Sequence, residues 1–536
     1  MLRFIIEKFR VAVVLSFAVV LPAQALEADA VKGLASDDFT TRVEAIDAIA
    51  AAGDKEALAL LQALYNGEVY VTPDGEVVLE RDEIVDAVTL KPLDPQPDTY
   101  DSVIINNQMR SKLETAIAAL SLLSDDYKTR MASAKALENA EDPKLLPVLS
   151  KALEKETDPE IRSLLTQTKA VIELGSDDPT VRLAAAKALG DSNQRRVREL
   201  LAAKLEKTPD GDYIEPVGVV RLAALESIKS IDRKLLLIDY LGRLFSGLSL
   251  GSILLLVALG LAIIYGLLGV INLAHGELLM IGAYATYVTQ SIFKTYFPDS
   301  LDFYVVAAIP VAFIVTGGVG VVLERTVIRW LYGRPLETLL ATWGISLFLI
   351  QLVRQIFGAQ NVEVANPSWL SGGVEFMNVV MPYNRICIII FSLIVLVLVW
   401  AMLSRTRLGL FIRGVTQNRT MASCVGVPTG RVDMLAFGLG SGIAGLAGVA
   451  LSQIGNVGPE LGQAYIIDSF MVVVLGGVGQ LAGTVYAGLG LGVFSKFIEP
   501  HIGAVLTKIL VLVVIIAVIQ KRPQGLFALK GRALEA

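Results

Sequence analysis

The chain has 536 residues, of which 54% are hydrophobic and 19% are charged, and its formal net charge is −6. The charge is unevenly divided, because residues 26–243 carry a net −13 whereas residues 244–536 carry a net +5. This division predicts an acidic soluble domain followed by a membrane domain with basic edges, and it argues against nucleic acid as a partner.

The first 25 residues have the organisation of a signal peptide. Basic residues precede the apolar run Val11–Leu21, and Ala23-Gln24-Ala25 forms a cleavage site. An uncleaved membrane anchor is the alternative, although the apolar run is short for a membrane span. Both interpretations predict export of the chain from Leu26 onward.

Residues 26–243 contain a repeated pattern, in which Ser-Asp-Asp is followed by an arginine six residues after the serine and then by an alanine-rich stretch. The pairs are Ser36 with Arg42, Ser124 with Arg130, and Ser176 with Arg182, with partial copies at 158–162 and 220–224. The acidic pair suits a helix N-terminus, where it caps free amides and meets the positive end of the dipole. The pattern resembles HEAT-type repeats, whose helix pairs bury their apolar faces by stacking.

One segment of this half predicts strands. VYV and VVL flank the turn sequence Thr72-Pro73-Asp74-Gly75 within Val69–Leu79, which indicates a β-hairpin. Pro92, Pro95 and Pro97 then predict a stiff, extended connection. We therefore expect an α-solenoid interrupted by one short hairpin.

The composition of the exported half does not suggest a catalytic site. It contains neither histidine nor cysteine, because the two cysteines, Cys387 and Cys424, lie in the second half. Its acidic pairs are interpreted as helix caps rather than as metal ligands, and the absence of cysteine leaves its fold without a disulfide. We expect this solenoid to contact another protein.

The second half alternates apolar runs with short connections and predicts a polytopic α-helical membrane domain of eight or nine spans. Basic residues after the third and fifth runs and at the C-terminus place those ends in the cytoplasm, so the first half is periplasmic. The runs are Leu248–Val270, Leu278–Ile292, Tyr304–Leu323, Thr338–Val353, Ile386–Leu403, Met434–Gly458, Ser469–Ser495 and Ile502–Ile519.

A polar group interrupts the apolar sequence early in this domain. Asn272, His275 and Glu277 lie within six positions, and intramembrane polar groups usually mark a transport pathway. A solvated turn between two spans is the alternative. A zinc site is excluded, because zinc needs three or four ligands and the chain has one other histidine, His501.

Two glycine-rich stretches, Gly438–Gly448 and Gly476–Gly492, predict close helix packing. Part of the second, Gly476–Thr484, has glycines like those of a phosphate-binding loop but lacks the lysine that reaches the phosphates. No other nucleotide-binding sequence occurs in the chain. Any ATP hydrolysis must therefore occur on another subunit.

Ser404–Val427 is a basic segment between two apolar runs, with arginines at 405, 407, 413 and 419 and no acidic residue. Its apolar spacing predicts one or two short amphipathic helices on the cytoplasmic side. A basic anchor at the lipid interface is one interpretation. The order of its Arg-Leu-Gly, Arg-Gly, Gln-Asn-Arg, Ala and Gly-Val elements also resembles the coupling loop of ABC importer permeases, which docks on an ATP-binding subunit.

Several sequences between Leu248 and Phe527 together resemble the branched-chain amino acid permease family of ABC importers. They are NLAHGE at 272–277, TWGISL at 342–347, the coupling segment, VLGGVGQLAG at 474–483 and RPQGLF at 522–527. Leu273 departs from that family, which usually has phenylalanine there. The exported HEAT-like domain is similar to that of the urea-importer permeases of the same family.

The resemblance implies a permease subunit that moves urea across the bacterial inner membrane. It implies as partners a second permease subunit, two ABC ATPase subunits that bind the ATP and magnesium, and a periplasmic substrate-binding protein, with no cofactor on this chain. The implied ATPase-coupling residues are Gly409, Arg413, Gly414, Asn418, Ala422 and Gly426. The candidate pathway residues, chosen as amide-like donors and acceptors or as members of the polar group, are Asn272, His275, Glu277, Thr342, Gln351 and Asn456.

Three alternatives remain open at the level of sequence. The cargo could be a branched-chain amino acid or a short-chain amide. The chain could be a membrane-anchored scaffold, which would have no need of a coupling segment. It could also be a secondary transporter, which would work without ATP.

Overall fold

The computed structural model describes residues 28–52, 55–80, 84–89, 91–93, 99–376, 379–522 and 524–527. The predicted signal peptide, residues 1–25, lies outside these ranges. The chain divides into two compact units, of which the first ends at Leu235 and the second begins at Leu236. Most described residues are helical.

The first unit consists of short helices with a small sheet after the third. The apolar residues form three clusters, and successive clusters share a helix, first α4 and then α7. The elements are α1 (Ala28–Lys32), α2 (Phe39–Ala52), α3 (Lys55–Asn66), β1 (Val69–Val71), β2 (Val77–Glu80), β3 (Ile84–Asp86), β4 (Asp101–Ser102), α4 (Asn107–Ser121), α5 (Tyr127–Ala136), α6 (Leu146–Lys155), α7 (Pro159–Glu173), α8 (Pro179–Ala188) and α9 (Arg195–Ala203).

The acidic pairs cap helices as predicted. Asp126 accepts a hydrogen bond from the Thr129 backbone amide at 2.9 Å, and Asp178 accepts one from the Thr180 amide at 2.8 Å. Asp38 makes the same contact with the Thr41 amide at 3.1 Å. Each cap satisfies an amide that has no partner inside its own helix.

The six-residue spacing of the repeat has a physical cause. The guanidinium group of Arg130 donates to the Ser124 carbonyl at 3.1 Å, and that of Arg182 donates to the Ser176 carbonyl at 2.9 Å. Arg42 contacts the Ser36 carbonyl in the same way. Each arginine therefore closes the turn that precedes its own helix. The assignment of these units to HEAT-type repeats stays a prediction.

The predicted hairpin forms, but the expectation of one hairpin in an otherwise all-α chain was wrong. β1 and β2 pair in antiparallel register, and β3 and β4 extend them to a four-stranded sheet in the order β3-β2-β1-β4. The added strands have three and two residues and, unlike β1 and β2, they do not flank a turn sequence that identifies a hairpin. A second hairpin, β5 (Gly373–Phe376) with β6 (Val379–Pro382), lies in the second unit.

The second unit is built around long helices. Seven helices among the described residues are long and apolar enough to cross a membrane, namely α10, α12, α13, α14, α17, α19 and α20. α18 is apolar but shorter, and α11 has 22 residues but more polar side chains. The count of eight or nine spans stays a prediction. The helices are α10 (Gly218–Leu268), which contains the division between the units, α11 (His275–Tyr296), α12 (Tyr304–Thr326), α13 (Pro335–Phe357), α14 (Tyr383–Arg405), α15 (Arg407–Gln417), α16 (Arg419–Cys424), α17 (Thr429–Ser452), α18 (Leu461–Gly476), α19 (Leu481–Ile502) and α20 (Ala504–Lys521).

The glycine-rich stretches pack helices closely, as predicted. A Cβ atom added at Gly282 of α11 would lie 2.4 Å from Gly445 of α17, so the two backbones touch. Gly476 and Gly483 meet in the same way where α18 turns into α19. The resemblance to a phosphate-binding loop is thus explained by a tight turn, in which Gly477 has a φ of +100°.

Candidate functional site

The polar group lies at the break between α10 and α11. Residues 269–274 leave the helical path, and Asn272 turns its side-chain oxygen back to accept a hydrogen bond from the Ala274 amide at 3.1 Å. Asn272 is 2% exposed. Its amide nitrogen has no hydrogen-bond partner among the described residues. The oxygen therefore shapes the turn, and the nitrogen is left as a buried donor.

His275 begins α11 and is completely buried. Its Nε2 lies 3.1 Å from the carbonyl oxygen of Val257 in α10. Because a carbonyl only accepts hydrogen bonds, Nε2 must carry the proton, and in the neutral ring Nδ1 is then an acceptor. Nδ1 contacts no donor within the described ranges. His275 therefore presents a buried acceptor.

Glu277 follows on the first turn of α11 and is 2% exposed. One side of its carboxyl group faces the hydroxyl of Ser346 in α13. The other oxygen, Oε2, has no partner in the part of the chain that the structure describes. Since buried polar atoms are almost always hydrogen-bonded, three unpartnered atoms within six residues mark this group as the candidate site.

α13 closes the group from another side. The hydroxyl of Thr342 lies 3.3 Å from the Leu273 amide and 3.4 Å from the Ile271 carbonyl. Thr342 thereby fixes the 269–274 turn. The structure brings together Asn272, His275, Glu277 and Thr342, four of the six residues predicted for the pathway.

The other two predicted residues, Gln351 and Asn456, lie elsewhere. Gln351 is exposed on α13, and Asn456 is exposed in the connection after α17. Sequence position could not reveal this, because a polar residue near an apolar run can face either a helix neighbour or the outside. We do not include these two residues in the buried group.

Backbone contacts hold the buried group in place. The first turns of α11 and α18 touch, since a Cβ atom at Gly462 would lie 2.1 Å from the Gly276 carbonyl oxygen. Gly260 of α10 approaches both His275 and the Gly440 carbonyl with similar closeness. Four helices, α10, α11, α17 and α18, therefore meet at His275 and Gly276.

Sequence reasoning missed Tyr284. This residue is 2% exposed, its ring centroid lies 4.6 Å from that of Phe357, and its hydroxyl is another unpartnered atom among the described residues. It follows Glu277 by seven positions, which places the two side chains on one face of α11. That spacing was an available signal. Glu277 and Tyr284 therefore place two unpartnered oxygen atoms on one face of α11.

The coupling segment forms two short helices, as predicted. Thr406 caps α15 by accepting from the Gly409 amide at 3.3 Å, and Asn418 caps α16 by accepting from the Met421 amide at 2.9 Å. The helices pack through buried residues that include Ile412, Val415 and Ala422, which accounts for the apolar spacing.

The six predicted coupling residues have different environments. Gly409 is required by packing, because a Cβ atom there would lie 2.1 Å from the Leu403 carbonyl oxygen, and Gly426 has a φ of +86°. Ala422 is buried and Asn418 is a cap. Arg413 is exposed and donates to the Leu403 carbonyl, while a Cβ atom at Gly414 would meet nothing within 4 Å.

A surface that the predictions did not include lies on the same helices. Leu410, Met421 and Val425 are 59%, 60% and 75% exposed, although each is a large apolar side chain. Arg407 and Arg413 of α15 are also exposed. We call Leu410, Met421 and Val425 the exposed coupling face. An apolar face rimmed by charge is typical of a protein interface.

The described residues contain no group of three or more His, Cys, Asp or Glu side chains that could hold a metal ion. The two cysteines are free, with Cys387 partly buried in α14 and Cys424 exposed at the end of α16. The chemistry offered by the buried group is therefore that of hydrogen bonding by one amide, one imidazole and one carboxyl group.

Comparison with known proteins adds an independent observation. The family model described as branched-chain amino acid transport system / permease component matches residues 243–519. The high-affinity branched-chain amino acid transport system permease protein BraD of Pseudomonas aeruginosa is 33% identical over 294 residues, which are 54% of this chain and 95% of BraD. LivH of Salmonella typhimurium, a permease protein of the same description, is 29% identical over 292 residues, with the same shares.

A more distant similarity reaches the archaea. The probable branched-chain amino acid transport permease protein LivH of Methanocaldococcus jannaschii is 23% identical over 303 residues, which are 53% of this chain and 91% of that protein. These alignments cover 91–95% of each relative, so the uncovered part of each is too short to contain a counterpart of the whole first unit.

Proposed function

Because the chain belongs to the family of permease components of branched-chain amino acid transport systems, we propose that it is the permease subunit of an ABC importer for urea. Substrate would cross the bacterial inner membrane by alternating access. ATP hydrolysis, with its magnesium ion, would occur on two separate ATPase subunits. A second permease subunit would complete the pathway, and a periplasmic binding protein would deliver the cargo.

The observation that carries the cargo assignment is the set of unpartnered atoms at the start of α11. Asn272 offers a donor, whereas His275 Nδ1 and Glu277 Oε2 offer acceptors. Urea has one carbonyl oxygen that accepts hydrogen bonds and two NH₂ groups that donate them. The Asn272 amide would bind the urea oxygen, and His275 and Glu277 would bind its NH₂ groups. Each buried atom would then have a partner, which removes its desolvation penalty.

A branched-chain amino acid is the second candidate, and the names of the relatives favour it. The Glu277 carboxylate would suit the ammonium group of such a cargo but would repel its carboxylate. The described group offers one neutral amide, Asn272, as an unpartnered donor for that carboxylate. A neutral diamide fits this donor and acceptor set better than a zwitterion does, and the set would also accept a short-chain amide.

The first unit supports urea by a different route. It has no counterpart of its full length in the amino acid permeases named above, whereas an exported HEAT-like domain resembles that of urea-importer permeases. We propose that this unit is periplasmic and that it contacts the binding protein or another permease subunit. Its helix caps and arginine contacts contribute to a fold whose sequence has no cysteine for a disulfide.

The ATPase docking site is proposed to be the exposed coupling face with its arginine neighbours. Desolvating three large apolar side chains would contribute to binding, and the Thr406 and Asn418 caps keep the two helices ordered for docking. A scaffold would have no need of an ATPase docking site, and a secondary transporter would work without the ATPase.

The test is uptake by the reconstituted complex. The chain, its permease partner, the two ATPases and the binding protein are placed in lipid vesicles, and uptake of labelled urea and of labelled leucine is measured with and without ATP. We expect ATP-dependent uptake of urea. ATP-dependent uptake of leucine but not urea would contradict urea as the cargo and would still support an ABC importer. Uptake driven by an ion gradient without ATP would establish a secondary transporter, and uptake of neither would favour the scaffold.

A further inference from the structure

A charged network joins the coupling segment to the long helices of the second unit. Arg419, the first residue of α16, binds both carboxylate oxygens of Asp433 in the first turns of α17. The same guanidinium lies 5.0 Å from the ring centroid of Tyr332, in the connection between α12 and α13. The Tyr332 hydroxyl donates to Glu324, near the end of α12, at 2.9 Å. We call these four residues the Arg419 network.

Burial makes the network energetically important. Asp433 is completely buried and Glu324 is 2% exposed, so each carboxylate depends on its protein partners. The Arg419 side chain is 44% exposed, but its removal would leave the buried Asp433 carboxylate without its charged partner. Burial and the nearby Glu324 carboxylate raise the pKa of Tyr332, so its hydroxyl keeps the proton that it donates. The network therefore holds α16, α17 and α12 in one arrangement.

The position of Arg419 is unusual for helix stability alone. A positive charge at the first residue of a helix is repelled by the positive end of the helix dipole. This repulsion destabilises α16, which has only six residues. The compensating attraction comes from the carboxylate of Asp433, which lies fourteen residues later on another helix. The pairing is thus between helices and specifies where α16 sits on α17.

Close packing continues the connection to the buried polar group. Gly320 of α12 meets Ser441 of α17, where a Cβ atom would lie 2.2 Å from the serine hydroxyl oxygen. Farther along α17, Gly448 meets Leu279 of α11 with similar closeness. Small residues let these helix backbones approach closely, and closely packed interiors have low compressibility and transmit strain. A displacement of α17 at Asp433 would therefore reach α11.

We propose that the Arg419 network transmits ATPase movement from the coupling segment to α17 and α12, and so controls access to the buried polar group. This inference rests on the proposed importer function, because it requires an ATPase docked on the exposed coupling face. Arg419 and Tyr332 act in it as positioning residues. They do not touch the cargo. Leu410, Met421 and Val425 bind the ATPase, whereas the network carries the resulting movement inward.

The test separates transmission from assembly. Tyr332→Phe removes the hydrogen bond to Glu324 and keeps the ring, and Arg419→Lys keeps the charge but loses the two-oxygen contact and the stacking. Arg329→Gln is the matched control, since Arg329 is exposed in the same connection and stacks on Trp330 at 4.9 Å. Each variant is purified as the full complex, and subunit content and thermal stability confirm assembly.

Two readouts are measured in vesicles. The first is the ratio of molecules imported to ATP hydrolysed, which we expect to fall about tenfold in Tyr332→Phe and Arg419→Lys while hydrolysis and assembly continue. The second uses Ser346→Cys, next to Glu277, in a background with Cys387→Ala and Cys424→Ser. Trapping the ATPases with vanadate should change the labelling rate of this cysteine, and either network substitution should abolish that change.

The two readouts also distinguish this inference from the proposed function. If the wild type imports neither urea nor leucine, the proposed function fails, but the labelling experiment still tests transmission without any cargo. Unchanged transport ratios and labelling changes in both network variants would overturn the inference. So would vanadate trapping that leaves labelling of the wild-type background unchanged, or an equal loss in Arg329→Gln.

Discussion

In the first unit, the buried carboxylates of Glu156 and Glu215 each bind an arginine, whereas in the second unit the buried carboxyl group of Glu277 keeps one oxygen without a partner among the described residues. Arg182 contacts Glu215 through two nitrogens, at 2.8 and 2.9 Å, and donates to the Ser176 carbonyl as well. Buried polar groups in the first unit therefore serve the fold. At the start of α11, by contrast, Asn272, His275 and Glu277 each keep a buried polar atom without a hydrogen-bond partner among the described residues.

The largest effect is expected when the buried ion pair between Arg182 and Glu215 in the first unit is removed. Glu215→Leu leaves the Arg182 guanidinium buried without its carboxylate and should lower the free energy of local opening of α8 by about 4 kcal/mol. The control is Glu173→Leu, which removes a more exposed pair with Lys169 on one helix and should change it by about 0.5 kcal/mol. Amide hydrogen exchange across α8 measures both. Equal effects would mean that the buried pair has no special role.

A backbone contact in the second unit should give the next largest effect. Gly462→Ala forces a methyl group against the Gly276 carbonyl and should destabilise the membrane unit by about 3 kcal/mol, with loss of uptake. Gly344→Ala is the control, because Gly344 is an exposed helical glycine with nothing within 4 Å of an added Cβ atom. Thermal unfolding in detergent compares them. Equal stability of the two variants would show that the contact between Gly462 and Gly276 does not constrain the membrane unit.

A substitution in the exposed coupling face is expected to affect assembly with the ATPase and not the stability of the isolated chain. Met421→Asp places a charge in the proposed interface and should weaken ATPase binding by about 2 kcal/mol while leaving the stability of the isolated chain unchanged. Cys424→Ser, at a neighbouring exposed position, is the conservative control. Co-purification of the ATPase at graded protein concentrations measures the change. Unaltered binding would place the docking surface elsewhere.

A smaller effect is expected when a donor is removed from the buried group. Asn272→Leu loses the amide proposed to bind the cargo carbonyl and should lower urea uptake about tenfold. Gln351→Leu, at a residue that the structure places on an exposed surface, should leave uptake unchanged. Initial uptake rates at equal protein content test the pair. The reverse order of effects would move the pathway to the exposed side of α13.

The smallest effect concerns acidity in the first unit. The hydrogen bond from Arg182 outweighs burial and lowers the pKa of Glu215 below its ordinary value of 4.5. A carboxyl group with a lowered pKa stabilises the fold above its unfolded pKa, and this contribution is lost as the pH falls through the folded pKa. The protection factors of the α8 amides, which correct for the pH dependence of intrinsic exchange, should therefore fall at acidic pH, and Glu215→Gln should reduce that dependence. A pH profile that Glu215→Gln leaves unchanged would contradict the assignment.

The sequence predicted those features that depend on neighbouring residues in the chain. The helix caps at Asp126 and Asp178, the β1–β2 hairpin and the two helices of the coupling segment follow from local spacing, and the structure contains them. The extra strands β3 and β4 did not follow, because two or three residues form a strand only when a longer partner is already in place.

The candidate site was predictable to the extent that polar residues in an apolar sequence are conspicuous. Asn272, His275 and Glu277 were found in this way. Tyr284 was missed because its seven-residue spacing from Glu277 was not considered, and the burial of its hydroxyl is visible only in the structure. Gln351 and Asn456 were assigned by residue type alone, and the direction of a side chain depends on which helices pack together. The Arg419–Asp433 pair required the same information.

The most direct test of the cargo is the Glu277→Gln variant measured with both substrates. Glutamine retains a carbonyl acceptor, so a neutral cargo keeps its hydrogen bond, whereas a cationic ammonium group loses a charge partner. We predict ATP-dependent urea uptake by the wild type that falls no more than about threefold in Glu277→Gln. ATP-dependent leucine uptake by the wild type that is abolished in the variant would show that the site binds an amino acid, and would contradict the proposed function in urea import.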